Sequence, residues 1–172
     1  RWLRDLAAWM RQTGVSKEEV TRGSGHKAAH VLALFDEPSP NPSLQLYLDL
    51  LTAAGARFAG VEENTPLAVV GRLAAIMEAR EITLSGLARL TDTSRPQLST
   101  LFNDTDPNPK LETLDRIVDA LDAEQDFRFV RVDPAIHDAD DDAEDDAEDD
   151  AEDDADEDDD ADEDDAEDGA DA

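Results

Sequence analysis

"TDTSRPQLSTLFND" (residues 91–104) decides how this chain folds. It opens on four turn-forming residues, and Thr93 or Ser94 carries a hydroxyl that can accept from the free N–H groups of a helix start. Pro96 fits a first helical turn, where its missing N–H removes no hydrogen bond. Leu98, Leu101 and Phe102 then recur at helical spacing and give the helix one apolar stripe. Ser94, Arg95, Gln97, Ser99 and Thr100 are left on its leading and outer faces. The stretch reads as a tight turn into a short helix that buries one side and offers polar groups on the other.

Working outward, Leu84, Leu87 and Leu90 predict a short helix over 83–90 with Thr83 as its N-cap. Before it, Val69, Val70, Leu73, Ile76 and Met77 keep helical spacing, so 66–79 is expected to be a helix with Pro66 in its first turn. Downstream, "NDTDPNP" (103–109) is all turn and cap chemistry, and Leu111, Leu114, Ile117, Val118 and Leu121 predict a fourth amphipathic helix.

Sliding the chain against itself exposes a gapless correspondence at an offset of 67. "LFDEPSPNPSL" (34–44) falls on "LFNDTDPNPKL" (101–111), and "LAAWM" (6–10) on "LAAIM" (73–77). Phe35 meets Phe102, Asn41 meets Asn108, Pro42 meets Pro109 and Leu44 meets Leu111. The expectation is two copies of one module of about 65 residues plus a tail, with boundaries at 1–64, 65–133 and 134–172. In the first copy helices are expected at 2–12, 17–22, 25–35 and 43–54, with "GSG" (23–25) in the turn. Trp2, Trp9 and Tyr47 sit at helical apolar positions and are read as core. Each copy ends in a β-favouring run, "RFAGV" (57–61) and "DFRFVRV" (126–132). Pairing of these two runs would set the halves side by side as an intrachain pseudo-dimer.

The formal net charge of -30 is unevenly spread. Residues 138–172 hold 25 of the 45 acids and no base, leaving 20 acids against all 15 Lys and Arg in residues 1–137. The tail, beginning "DADDDAEDDAEDDAEDDADEDDD" (138–160), has no aromatic or branched residue. It cannot bury apolar area to offset its ordering entropy, so disorder at neutral pH is expected. Its alanines recur every four residues from Ala139 to Ala155. They would form a helical stripe, but like-charge repulsion opposes that helix near neutral pH. Cysteine is absent, which excludes disulfides and cysteine-based zinc sites. No run approaches 18 apolar residues and no leader pattern opens the chain, so a cytoplasmic protein without membrane contact is expected. His26 and His30 have the spacing of some zinc ligands, but no third ligand stands out, and neither metal nor cofactor is expected. No Ser, His and Asp set or carboxylate pair carries a catalytic signature, so the chain is not expected to be an enzyme.

The span "ITLSGLARLTDTSRPQLSTLFNDTDPNPKLETLDRIVDAL" (82–121) resembles helix 2, turn, helix 3 and helix 4 of the phage-repressor-like, or XRE-type, helix-turn-helix family. It is also similar to the DNA-binding half of addiction-module antitoxins, where Asn-Pro introduces helix 4 and a strand follows. The resemblance extends with less signature over residues 1–132 and departs at Asp92, where the family usually has Gly; Asp tolerates left-handed geometry at moderate cost. It implies an all-α fold of two lambda-repressor-like modules, each ending in a short strand, and a sequence-specific regulator of transcription that binds double-stranded DNA. Helix 3 would enter the major groove, with Arg95 suited to guanine, Gln97 to adenine, and Ser94, Ser99 and Thr100 to bases or phosphates. The starts of helices 2 and 4, near Thr83, Asn108 and Lys110, would suit phosphates.

In the same register Arg95 falls on Ala28, Gln97 on His30, Ser99 on Leu32 and Thr100 on Ala33. The first copy therefore lacks readers. It is expected to anchor the DNA backbone through His26, Lys27, Lys17 and Arg22, to pack on a partner, or to serve stability. The tail's roles would be solubility, occupation of the chain's own DNA-reading face, or capture of a basic partner such as a toxin. The competing function is that of an antitoxin-like or adaptor protein binding a partner, or forming a dimer, through the first copy or the tail.

Overall fold

Hydroxyl side chains start many of the helices, and their positions explain where the chain turns. In the computed structural model, which describes residues 1–132, Ser16, Ser43, Thr65, Thr83 and Ser94 each accept from a backbone N–H three residues on. The acidic tail expected over 134–172 lies outside the described residues. The order is α1 (Trp2–Thr13), α2 (Lys17–Gly23), α3 (Ala28–Asp36), α4 (Leu44–Ala53), β1 (Ala56–Phe58), then α5 (Pro66–Ala79), α6 (Leu84–Thr91), α7 (Arg95–Asn103), α8 (Leu111–Ala120), a 3-10 turn (Glu124–Phe127) and β2 (Phe129–Arg131). The fold is helical, with one small two-stranded sheet among the described residues.

Three local expectations need correction. The third helix begins at Ala28 and not at 25, because Gly25 is left-handed (φ +70) and Lys27 is extended. His26 therefore lies off the helix that was expected to align it with His30. Leu90 is 62% exposed; Thr91 turns inward instead, with its hydroxyl donating to the Leu87 carbonyl at 2.9 Å. Trp9 is only half-buried, its indole N–H donating to the Ala54 carbonyl at 3.3 Å.

The two β-favouring runs do pair. β1 and β2 are antiparallel, with Ala56 opposite Arg131, Arg57 opposite Val130 and Phe58 opposite Phe129. The offset of 67 does not reach them, because the 3-10 turn places extra residues ahead of β2.

A second set of cross-chain bonds is reciprocal. The Leu44 N–H donates to the Pro109 carbonyl (2.8 Å), and the Leu111 N–H donates to the Pro42 carbonyl (3.0 Å). The Asn108 side-chain oxygen accepts from the Gln45 N–H (3.0 Å), and that of Asn41 accepts from the Glu112 N–H (3.0 Å). Each Asn-Pro loop thus caps the fourth helix of the other half. Intrahelical bonding cannot satisfy these first-turn donors, so a partner from elsewhere stabilises the helix start.

Below this clasp lies one core cluster drawn from both halves. Leu44, Tyr47, Leu48, Phe58, Leu87, Leu98, Leu114 and Ile117 are all fully buried members of it. Aromatic rings tie α1 to α4, β1 and the 3-10 turn: Trp2 meets Tyr47, Phe58 and Phe127 edge-on at centroid distances of 6.0, 5.5 and 6.2 Å. Such pairs add about 0.5–1.5 kcal/mol each beyond area burial. The Tyr47 hydroxyl donates to the Trp2 carbonyl at 3.1 Å. Among the described residues, no helix is long and apolar enough to cross a membrane.

Two stability predictions follow from these contacts. α8 has Lys110 at its N-cap and no capping side chain of its own, whereas α4 also has Ser43. Asn41→Ala is therefore expected to cost about 1 kcal/mol or more, and Asn108→Ala less, in urea unfolding; the reverse order would contradict the assignment. Burial, helped by the Asp5 carboxylate and opposed by Arg1, holds the Tyr47 hydroxyl well above its ordinary pKa of 10.0. Its contribution to stability is thus complete below pH 10 and is lost as pH rises toward the raised value. Tyr47→Phe should start about 1 kcal/mol lower at pH 8 and show a flatter alkaline decline, read as urea midpoints against pH.

Candidate nucleic-acid interface

The candidate surface is built from the α6–α7 corner. Thr83 caps α6 through the Gly86 N–H (3.1 Å), and α6 ends at Asp92, which is left-handed (φ 50, ψ 36) and donates its N–H to the Ala88 carbonyl. One left-handed residue closes the turn, as the sequence required of the residue standing where the resembled family has Gly. Ser94 then opens α7 with a capping box: its hydroxyl oxygen accepts from the Gln97 N–H, and the Gln97 side-chain oxygen accepts from the Ser94 N–H. Leu98 is fully buried, with Leu101 and Phe102 packed against the core.

This leaves Ser94, Arg95, Gln97 and Thr100 exposed and Ser99 half-buried. Arg95 makes no side-chain hydrogen bond or ion pair among the described residues. Its guanidinium is exposed at the first residue of α7. Gln97 is engaged differently: its side-chain oxygen also accepts from the Ser94 hydroxyl at 2.9 Å. Reading adenine takes both ends of an amide, so Gln97 would have to open this box first.

Asn103 is a residue that the sequence alone did not single out. It is exposed, and its amide donates to the Ser99 carbonyl (2.7 Å) and hydroxyl (3.2 Å), so it shares a face with Ser99. Its place one turn beyond Thr100, at i+3, was the available signal.

At the start of α8 the arrangement departs from the expectation of open N–H groups. Leu111 and Glu112 already donate to Pro42 and Asn41, and the Asn108 oxygen is held by Gln45. What remains there for an anion is the exposed Lys110 ammonium, which has no ion-pair partner among the described residues, and the Asn108 amide.

The α2–α3 corner, which lies at the offset of 67, has a similar frame and a less polar outer face. Ser16 forms a capping box with Glu19, as Ser94 does with Gln97. Ala28, Ala29, His30, Leu32 and Ala33 are exposed along α3. His26 is bound to Asp49 at 2.8 Å and Lys17 to Asp36 at 3.4 Å, while Arg22 and Lys27 have no ion-pair partner among the described residues. No group of three metal-ligating side chains occurs among the described residues.

No curated protein and no solved structure matches the chain. Residues 72–124, from within α5 to the start of the 3-10 turn, match the family model of the Cro/C1-type HTH DNA-binding domain, which supports DNA binding by this part of the chain.

Proposed function

We propose that the chain is a sequence-specific DNA-binding regulator of transcription in which α7 occupies the major groove. The observation that carries this is Arg95, exposed and without a side-chain partner among the described residues, at the leading end of α7 and inside the span that matches the DNA-binding family. A free guanidinium at that end can bind guanine through two parallel hydrogen bonds. Thr100 and Asn103 extend the same helix surface, Ser94, Gln97 and Ser99 line it, and Thr83, Asn108 and Lys110 flank it as phosphate contacts. The two halves are read as tandem copies, which the offset of 67 and the reciprocal Asn-Pro bonds both favour.

A second function keeps a specific observation in its favour. The exposed Ala28, Ala29, Leu32 and Ala33 form a face better suited to a protein than to base edges, as an antitoxin-like or adaptor protein would need. In the DNA-binding reading the acidic residues 138–172 compete with DNA for the same cations, since they carry 25 acids and no base.

Arg95→Ala is expected to lower discrimination between a selected duplex and a scrambled one by about 1–3 kcal/mol. An adaptor's partner affinity would not change, so fluorescence titrations with both kinds of ligand separate the two functions. Deleting residues 138–172 should tighten DNA binding at low salt; equal affinity of truncated and full-length chains for one duplex would remove the competing role of the tail.

A further inference from the structure

The Asn-Pro clasp has the symmetry of a twofold axis. Pro42 receives from Leu111 while Pro109 receives from Leu44, and Asn41 receives from Glu112 while Asn108 receives from Gln45. A contact set in which i meets j and the counterpart of j meets the counterpart of i is returned to itself by a half-turn. Points related by a half-turn lie at the same height along its axis and keep their direction along it, so a half-turn that relates the two halves as it relates the clasp sets α3 and α7, the corresponding helices, level with one another. A DNA duplex has twofold axes of its own across its length. A helix-turn-helix pair that shares such an axis can set its two leading helices in successive major grooves, which lie about one helical turn or 10 base pairs apart.

The two helices bring unequal chemistry to that geometry. Elements that would hold the backbone occur in both halves: the N-cap hydroxyls Ser16 and Thr83 correspond, and so do the exposed Arg22 and Arg89. Elements that would read bases occur in one. Arg95, Gln97, Thr100 and Asn103 correspond to Ala28, His30, Ala33 and Asp36, and Asp36 is already held by Lys17.

We infer that a single chain spans two successive major grooves and reads only one, so that its operator is not palindromic. One block of specified base pairs lies under α7, and about one turn to one side the duplex is gripped under α3 through its phosphates, chiefly by Arg22 and Lys27, whatever its sequence. This rests on the DNA-binding function proposed above and adds the class of DNA sequence that it recognises.

The test is selection of the full-length chain on duplex oligonucleotides with a random core, followed by footprinting and titration of the wild type, Arg95→Ala and the double variant Arg22→Ala/Lys27→Ala. The expected result is one enriched block without an inverted repeat, and protection extending about one helical turn beyond it on one side only. The double variant should weaken binding to selected and scrambled duplexes by the same factor and lower the salt slope by about two. Arg95→Ala should instead lose about 5- to 150-fold of the preference for the selected block. An inverted repeat would overturn the inference and leave DNA binding standing. So would protection confined to the block, or a double variant with unchanged affinity and salt slope, which would assign the α3 face to a protein. Failure to bind any duplex would overturn the DNA-binding function together with it.

Discussion

The two fourth helices begin where neither half can complete them alone. The first-turn N–H groups of Leu44 and Gln45 are met by Pro109 and Asn108, and those of Leu111 and Glu112 by Pro42 and Asn41. Leu44 and Leu111 are buried, so their donors need protein partners, while the two asparagine bonds close the exposed rim of the same helix starts. The clasp therefore fixes α4 against α8, and with them the helices that each half carries. It is continued sideways: Gln45 donates to Asp49 at 2.7 Å, and Asp49 holds His26 at 2.8 Å, so the leading end of α3 is connected to Asn108 of the other half.

Around that clasp the core is shared. Trp2 packs edge-on against Phe58 of β1 and Phe127 of the 3-10 turn, and the Arg1 guanidinium beside it reaches Asp115, Asp119 and Glu124. α1 is thereby fastened to the C-terminal half as well as to its own. The partly exposed ion pairs contribute modestly, and the buried aromatic area contributes more. The β1–β2 pair adds a second link between the halves, and the α6–α7 corner keeps an exposed outer face.

Much of this was legible residue by residue. Pro66, Thr83, Ser94 and the leucines after them fixed α5, α6 and α7 to within a residue or two, because caps and helical periodicity are local properties. α3 starts later than periodicity predicts because "GSGHK" contains Gly25, which stands in open space and is left-handed, a conformation that glycine takes as readily as a helical one. Leu90 was misplaced because periodicity cannot tell the last turn of a helix at the surface from one inside. In the candidate site, Arg95 and its exposure were foreseeable from the turn and the stripe opposite it. The closing of Gln97 onto Ser94 and of Asn103 onto Ser99 follows local patterns, a capping box and an i+4 pair, whereas the occupied N–H groups at the start of α8 depend on the other half of the chain.

The sequence by itself determined the helices, the left-handed turn at Asp92, the correspondence at 67 residues and the concentration of charge in residues 138–172. It did so because capping, turn formation and amphipathic spacing act over a few residues. Only the tertiary structure decided that Asn41 and Asn108 cap each other's half and that the two short strands pair at an offset other than 67. Those outcomes depend on contacts between residues some 70 positions apart, such as Asn41 with Glu112. Hydrogen-bond geometry at that range is set by how the cores meet, which no local pattern encodes.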